Sequence, residues 1–190
     1  MKHILLTIAL LFSLQIFAEC GEAGKFDIPL ELDPKTNLPL TGNLNLTNDD
    51  WNGGIEFTIQ YVDGLMHGEE KVFYESGALK SLGRWSKGII DGLTEVYYED
   101  GSLMIRINFI DGLREGKGLR YYSNGQLAVE SYYKNDLLEG TSTVWYESGK
   151  LMERAVFNKG LKFSFDRYKE DGSPYFDQKI IYNSHTGSLG

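Results

Sequence analysis

Three histidines, one cysteine and a scatter of adjacent carboxylates are the side chains in this sequence that could do acid, base, nucleophilic or metal chemistry. His3, His67 and His185 lie far apart, none with a second histidine at a ligand spacing, so metal binding and general-base work are not expected. His67 reads as a solvated histidine in a loop between structural units. Cys20 has no histidine placed to activate it, and no Gly-x-Ser-x-Gly elbow is present. Gly116-Lys117-Gly118 lacks the spacing of a phosphate-binding loop. Glu69-Glu70 and Asp49-Asp50 are sequence neighbours, and neighbours on a strand point to opposite faces, a poor geometry for a paired-carboxylate hydrolase. These residues nominate no catalytic group, no metal ligand and no cofactor site, and the chain reads as a non-enzyme.

The side chains that recur are aromatic. Phe73-Tyr74, Tyr97-Tyr98, Tyr121-Tyr122 and Trp145-Tyr146 stand 24 residues apart. Each pair is followed by a turn ending in glycine (Gly77, Gly101, Gly125, Gly149) and then by Leu79, Leu103, Leu127 or Leu151. Self-similarity at a fixed period is the mark of a repeat architecture. Residues 69–74, 93–98, 117–122 and 141–146 have a strand composition, and glycine in the turn supplies the positive φ of a hairpin. The return strands alternate with period two. Leu79, Ser81, Gly83 and Trp85 take one face, and Leu103, Ile105, Ile107 and Phe109 take it in the next unit. The expected fold is all-β: an elongated, single-layer antiparallel sheet of stacked β-hairpin repeats with a 24-residue period.

Residues 41–176 form the array on this reading. Its first unit is worn, with Gly53, Ile55 and Tyr61 in register but Leu44 where glycine is expected. Its last unit has Ser164 in place of glycine and one extra residue before Gly172, as terminal caps of a stacked array do. Residues 19–40, with Pro29, Pro34 and Pro39, form an extended lead-in with one short strand over 26–32. Residues 177–190 are a C-terminal strand, beginning at Phe176, and a polar tail. Residues 1–18 read as a secretory signal peptide: Lys2 and His3 precede an apolar run, and Ala18 is a cleavage residue. Export to the periplasm, cell envelope or medium is therefore expected. Glu19 precedes Cys20 where lipoprotein processing takes a small residue, so Cys20 is not read as a lipid anchor.

With 27 acidic against 19 basic residues the net charge is −8, which opposes nucleic acid and anionic lipid. One cysteine forms no internal disulfide, so stability must come from packing and strand pairing.

The spacing of Trp85, Gly88, Gly92, Tyr97-Tyr98 and Gly101, recurring at Phe109, Gly112, Gly116, Tyr121-Tyr122 and Gly125, resembles the MORN repeat family, and in particular its bacterial variant of YwqK-type antitoxins. Asp136 replaces the first glycine of the third copy, and the copy at Phe157 lacks the second. The resemblance implies a twisted sheet used as a binding or scaffolding surface, antitoxin-like in its naming. A single-layer sheet cannot bury both columns of the aromatic pair. If the hairpin loops have four residues, the Tyr74 column faces the leucines and is core, and Phe73, Tyr97, Tyr121 and Trp145 line an outer strip. That strip is the expected contact surface, and another protein the expected partner; attachment to membrane or cell envelope is the alternative.

Overall fold

A computed structural model describes residues 32–33, 35–46 and 56–175. The expected signal peptide at residues 1–18, Cys20, Gly53, Ile55, the expected strand at 26–32 apart from Leu32, and the expected strand from Phe176 lie outside the described residues. Every regular element is a strand: β1 (Gly42–Leu46), β2 (Glu56–Val62), β3 (Leu65–Phe73), β4 (Leu79–Ser86), β5 (Ile89–Ile90), β6 (Gly92–Tyr97), β7 (Leu103–Ile110), β8 (Leu113–Arg114), β9 (Gly116–Tyr121), β10 (Leu127–Lys134), β11 (Leu137–Leu138), β12 (Gly140–Trp145), β13 (Leu151–Asn158) and β14 (Leu161–Arg167). All belong to one open antiparallel sheet, a meander in which each long strand pairs with its sequence neighbours. At about 4.8 Å per strand the eleven strands of the main path extend roughly 50 Å.

Two kinds of hairpin alternate. At one edge lie two-residue turns whose central residues both have positive φ: Asp63-Gly64, Lys87-Gly88, Asp111-Gly112, Asn135-Asp136 and Lys159-Gly160. This is the type I′ geometry, whose twist matches that of the strands it joins. The turns are stitched together: the Gly88, Gly112, Asp136 and Gly160 amides donate to the carbonyls of Met66, Ile90, Arg114 and Leu138 in the preceding unit. Acidic side chains add a second stitch, with Glu115 accepting from the Asn135 amide and Glu139 from the Lys159 amide, both at 2.8 Å.

At the other edge the hairpins close differently from the four-residue loops expected. The Gly77 amide donates to the Tyr74 carbonyl and the Tyr74 amide to the Ala78 carbonyl, leaving a three-residue loop with Gly77 at φ +82. The same bonds recur at Tyr98, Tyr122 and Tyr146. A β-bulge follows, because Val72 pairs with Ser81 whereas Phe73 pairs with Leu79, and equivalent bulges occur at Tyr97, Tyr121 and Trp145. Each bulge inserts one residue, Lys80 in the first unit, and turns the leucine away from the face of Ser81 and Trp85. The leucines thus oppose the first aromatic of each pair and do not extend the core column, which corrects the strict period-two reading.

The core lies on the other face. Tyr61, Trp85, Phe109 and Tyr133, 24 residues apart, are all buried, together with Ile59, Val72, Ile90, Val96, Ile105 and Ile107. Leu44, in the worn first unit, packs against this cluster, so leucine serves as filling where a glycine was expected. The last unit departs in another way. Inner units jump two residues in register after each tight turn, as between Trp85↔Ile90 and Leu82↔Glu95, with Gly92 at φ +120 in the offset. With Ser164 at the matching position, β13 and β14 shift by one residue only and β14 runs unbroken.

Candidate functional site

The sheet faces differ in what they offer. On the core side, a second column of aromatics builds the array. Tyr74, Tyr98, Tyr122 and Tyr146 each reach across to the next unit and donate their hydroxyls to the carbonyls of Tyr97, Tyr121, Trp145 and Tyr168, at 2.7, 2.8, 2.9 and 2.9 Å. Burial raises the Tyr74 phenol above its ordinary range, and the charges of Glu99 and neighbouring groups add to this. These tyrosines are ties between units and do not pack under the leucines as the four-residue loop reading required. Replacing Tyr98 or Tyr122 by phenylalanine removes one such bond and should lower the unfolding free energy by about 0.5–1.5 kcal/mol, read from the urea midpoint.

The outer face holds the four residues expected to form a contact strip. Phe73, Tyr97, Tyr121 and Trp145 end β3, β6, β9 and β12, each half-buried and each opposite a half-buried leucine: Leu79, Leu103, Leu127 and Leu151. Aromatic and leucine therefore alternate in a stripe across eight strands. Beside it runs a charged row. The Tyr97 hydroxyl donates to Glu95 Oε2 at 2.7 Å, and Arg106 Nε donates to Glu95 Oε1 at 2.8 Å. Burial pushes the Glu95 carboxyl up, but the Tyr97 hydroxyl and Arg106 outweigh it and hold it below the ordinary range. Lys117 bonds Glu130 at 3.0 Å in the next unit and lies over the Tyr132 ring.

Beyond the charged row, near the tight turns, lies a more exposed aliphatic ridge that the sequence reading missed. Ile89, Leu137 and Leu161 each follow a tight turn, and Ile110 precedes the Asp111-Gly112 turn, after which Leu113 is half-buried; Ile110 is 51% and Leu161 58% exposed. Trp85↔Ile90 is a core pair, so the adjacent Ser86↔Ile89 pair faces outward, on the side of the aromatic stripe. Leu93, Tyr132 and Val156 widen the ridge. Single exposed leucines are ordinary, whereas exposed apolar side chains recurring on one face of a sheet are the material from which interaction sites are made. The signal was in the sequence, since Ile89, Leu113, Leu137 and Leu161 share the 24-residue period.

His67, Glu69 and Glu70, weighed above for chemistry, lie among the described residues. No group of three or more His, Cys, Asp or Glu side chains could hold a metal ion there. His67, expected in a loop, lies within β3 opposite Gln60 and is half-buried, because the strand begins directly after the tight turn at Gly64. Glu69 and Glu70 do point apart: Glu69 pairs with Arg84 on the outer face, and Glu70 is buried. A groove at the C-terminal end of the core face is lined by Val144, Tyr146, Met152, Glu153, Arg167 and Tyr175, and its carboxylate is already held by Lys162 and Arg167. Among the described residues no helix is long and apolar enough to cross a membrane.

Of the comparisons with known proteins, the match to a family model agrees with the repeat geometry. No curated protein matches the chain significantly. Among solved structures, a chain from "Crystal structure of GtfA/B complex bound to UDP and GlcNAc" is similar to 69% of this chain, with 14% identity and a TM-score of 0.27, too loose a superposition to bear on function. This chain spans 27% of the length of that one. The family model described as MORN repeat variant matches four times, at residues 66–86, 90–111, 114–135 and 138–159. The gaps between matches fall at the tight turns, so the matched unit runs from one type I′ turn to the next. MORN repeats are generally associated with protein or membrane interaction. Over residues 66–159 this chain is similar, four times in tandem, to the MORN repeat variant.

Proposed function

We propose that the chain is an exported protein-interaction module that docks a partner protein on the outer face of its sheet and has no chemistry of its own. The observation that carries this reading is the pairing, on one face, of the aliphatic ridge at Ile89, Ile110, Leu137 and Leu161 with the aromatic stripe at Phe73, Tyr97, Tyr121 and Trp145. Large apolar anchors flanked by charge are what protein interfaces use for affinity and register. The partner that fits is a protein presenting apolar side chains within a basic rim, complementary to the net charge of −8. A toxin protein is one partner of this kind, and the resemblance to YwqK-type antitoxins is the reason to include it. The leader-like residues 1–18 are the basis for export.

The test uses the chain as bait beside a variant carrying Tyr97→Ser, Tyr121→Ser and Trp145→Ser, with a captured protein purified and rebound to both. Binding by the parent and its loss in a variant with an unchanged circular dichroism spectrum supports the proposal. Equal binding by both, or binding only to anionic vesicles that salt abolishes, overturns it, and the latter puts envelope association in its place.

A further inference from the structure

Among the described residues two carboxylates are buried, Glu70 and Glu95, and Glu70 is the one that faces the core cluster. It stands on β3 opposite Gly83 of β4 and is 9% exposed. Its Oε2 accepts a hydrogen bond from Trp85 Nε1 at 3.1 Å, while its Oε1 has no hydrogen-bond partner. Thr94, 5% exposed on β6, also has an unpartnered Oγ1. The two side chains converge over Gly83: a Cβ placed there would lie 3.5 Å from Glu70 Oε2, 3.8 Å from Trp85 Nε1 and 4.0 Å from Thr94 Oγ1. The missing side chain of Gly83 makes room for the carboxyl between two strands.

No compensating cation faces it among the described residues. On β3, Glu69 and Lys71 take the outer face, where Glu69 pairs with Lys71 and with Arg84 of β4. Glu95 of β6 also lies on that side, bound to Arg106 of β7. Toward Glu70 itself, β4 presents Ser81, Gly83 and Trp85, β6 presents Thr94, β7 presents Ile107, and β2 presents Ile59, with Gln60 and His67 opposite each other beyond the Gly68 offset. An ionised carboxylate in such surroundings is costly, whereas a protonated one brings a hydroxyl donor to a place that has an unpartnered acceptor.

We propose that Glu70 is a proton-operated switch: protonated, it ties β3, β4 and β6 together through Trp85 and Thr94, and ionised, it loosens that part of the array. Burial pushes its carboxyl above the ordinary range, and the Trp85 indole offsets this only in part. A group whose pKa is higher folded than unfolded stabilises fully below the unfolded value, and that contribution is lost as pH rises through the folded one. The switch therefore tightens in acid and slackens in base, opposite to the usual behaviour of a paired surface carboxylate.

The test is the urea midpoint of the full chain between about pH 5 and pH 9 for the parent, Glu70→Gln and Gly83→Ala. In the parent the midpoint falls with rising pH, and in Glu70→Gln that component disappears. Gly83→Ala, whose methyl group meets only ordinary contacts, excludes solvent further and moves the fall to higher pH. Parallel pH profiles for the parent and Glu70→Gln overturn the proposal. Should Glu70→Gln fail to fold, carbon-13 carboxyl titration of the folded parent decides: one glutamate titrating above the ordinary range, in step with Trp85 fluorescence, supports the switch. All glutamates titrating in the ordinary range overturn it.

Discussion

Replacing Ile107 by alanine should cost about 2–5 kcal/mol, one of the two largest losses expected from a single substitution in this chain. Ile107 is fully buried, and its Cδ1 fills the space above Gly118, where a Cβ would lie 3.4 Å away. It stands on β7 opposite Thr94 of β6, midway along the array. Each unit of a repeat protein is supported chiefly by its neighbours, so a cavity here weakens the coupling between the two halves. Urea unfolding should show a lower midpoint together with a smaller slope or two resolved steps, since loss of cooperativity lowers the apparent m value. A single transition shifted by less than about 1 kcal/mol would mean that the buried face carries less of the stability than its packing indicates.

The second large effect comes from adding atoms. A Cβ at Gly118 would sit 2.9 Å from Tyr133 Cε2 and 3.4 Å from both Tyr133 Cδ2 and Ile107 Cδ1. Tyr133 has little room to withdraw: it is 7% exposed, and Arg114 lies over its ring at 4.4 Å. Gly118→Ala should therefore cost about 1–3 kcal/mol by overpacking, and Gly118→Val more. Ile107 Cδ1 lines the same space, so its removal leaves room for the added methyl group and the two substitutions should compensate. Gly118→Ala made in the Ile107→Ala background should cost less than in the parent, a coupling of about 0.5–3 kcal/mol in a double-mutant cycle. Strict additivity would contradict the contact.

Much of this architecture was legible because it repeats. The 24-residue period, the glycine closing each broad hairpin and the buried column of Tyr61, Trp85, Phe109 and Tyr133 all follow from residue types at fixed spacing. What failed was the assumption that alternation continues unbroken from the leucines into the return strands. The bulge residue is Lys80 in the first unit, and the residues at equivalent positions, Met104, Ala128 and Met152, share no chemical signature, so nothing in composition announces that the leucine changes faces. The pairing of Phe73 with Leu79 became visible only with the register. Burial of Glu70 was illegible for a related reason: its accommodation depends on Gly83 across the strand, a non-local contact. The aliphatic ridge was legible in principle, since Ile89, Leu137 and Leu161 obey the same period as the aromatic pairs at the other end of the hairpins.

The proposed division of labour between the faces, one building the array and the other binding, is tested most directly by a variant that touches only the ridge. Ile110→Lys with Leu137→Lys alters two exposed side chains on the outer face and leaves the core cluster intact. With the purified partner in hand, its dissociation constant and the urea midpoint would be measured on the same preparations. The expected result is a loss of affinity of about 100-fold, near 2.7 kcal/mol, with stability unchanged to within about 0.5 kcal/mol. Unchanged affinity would contradict the assignment of the outer face as the docking surface.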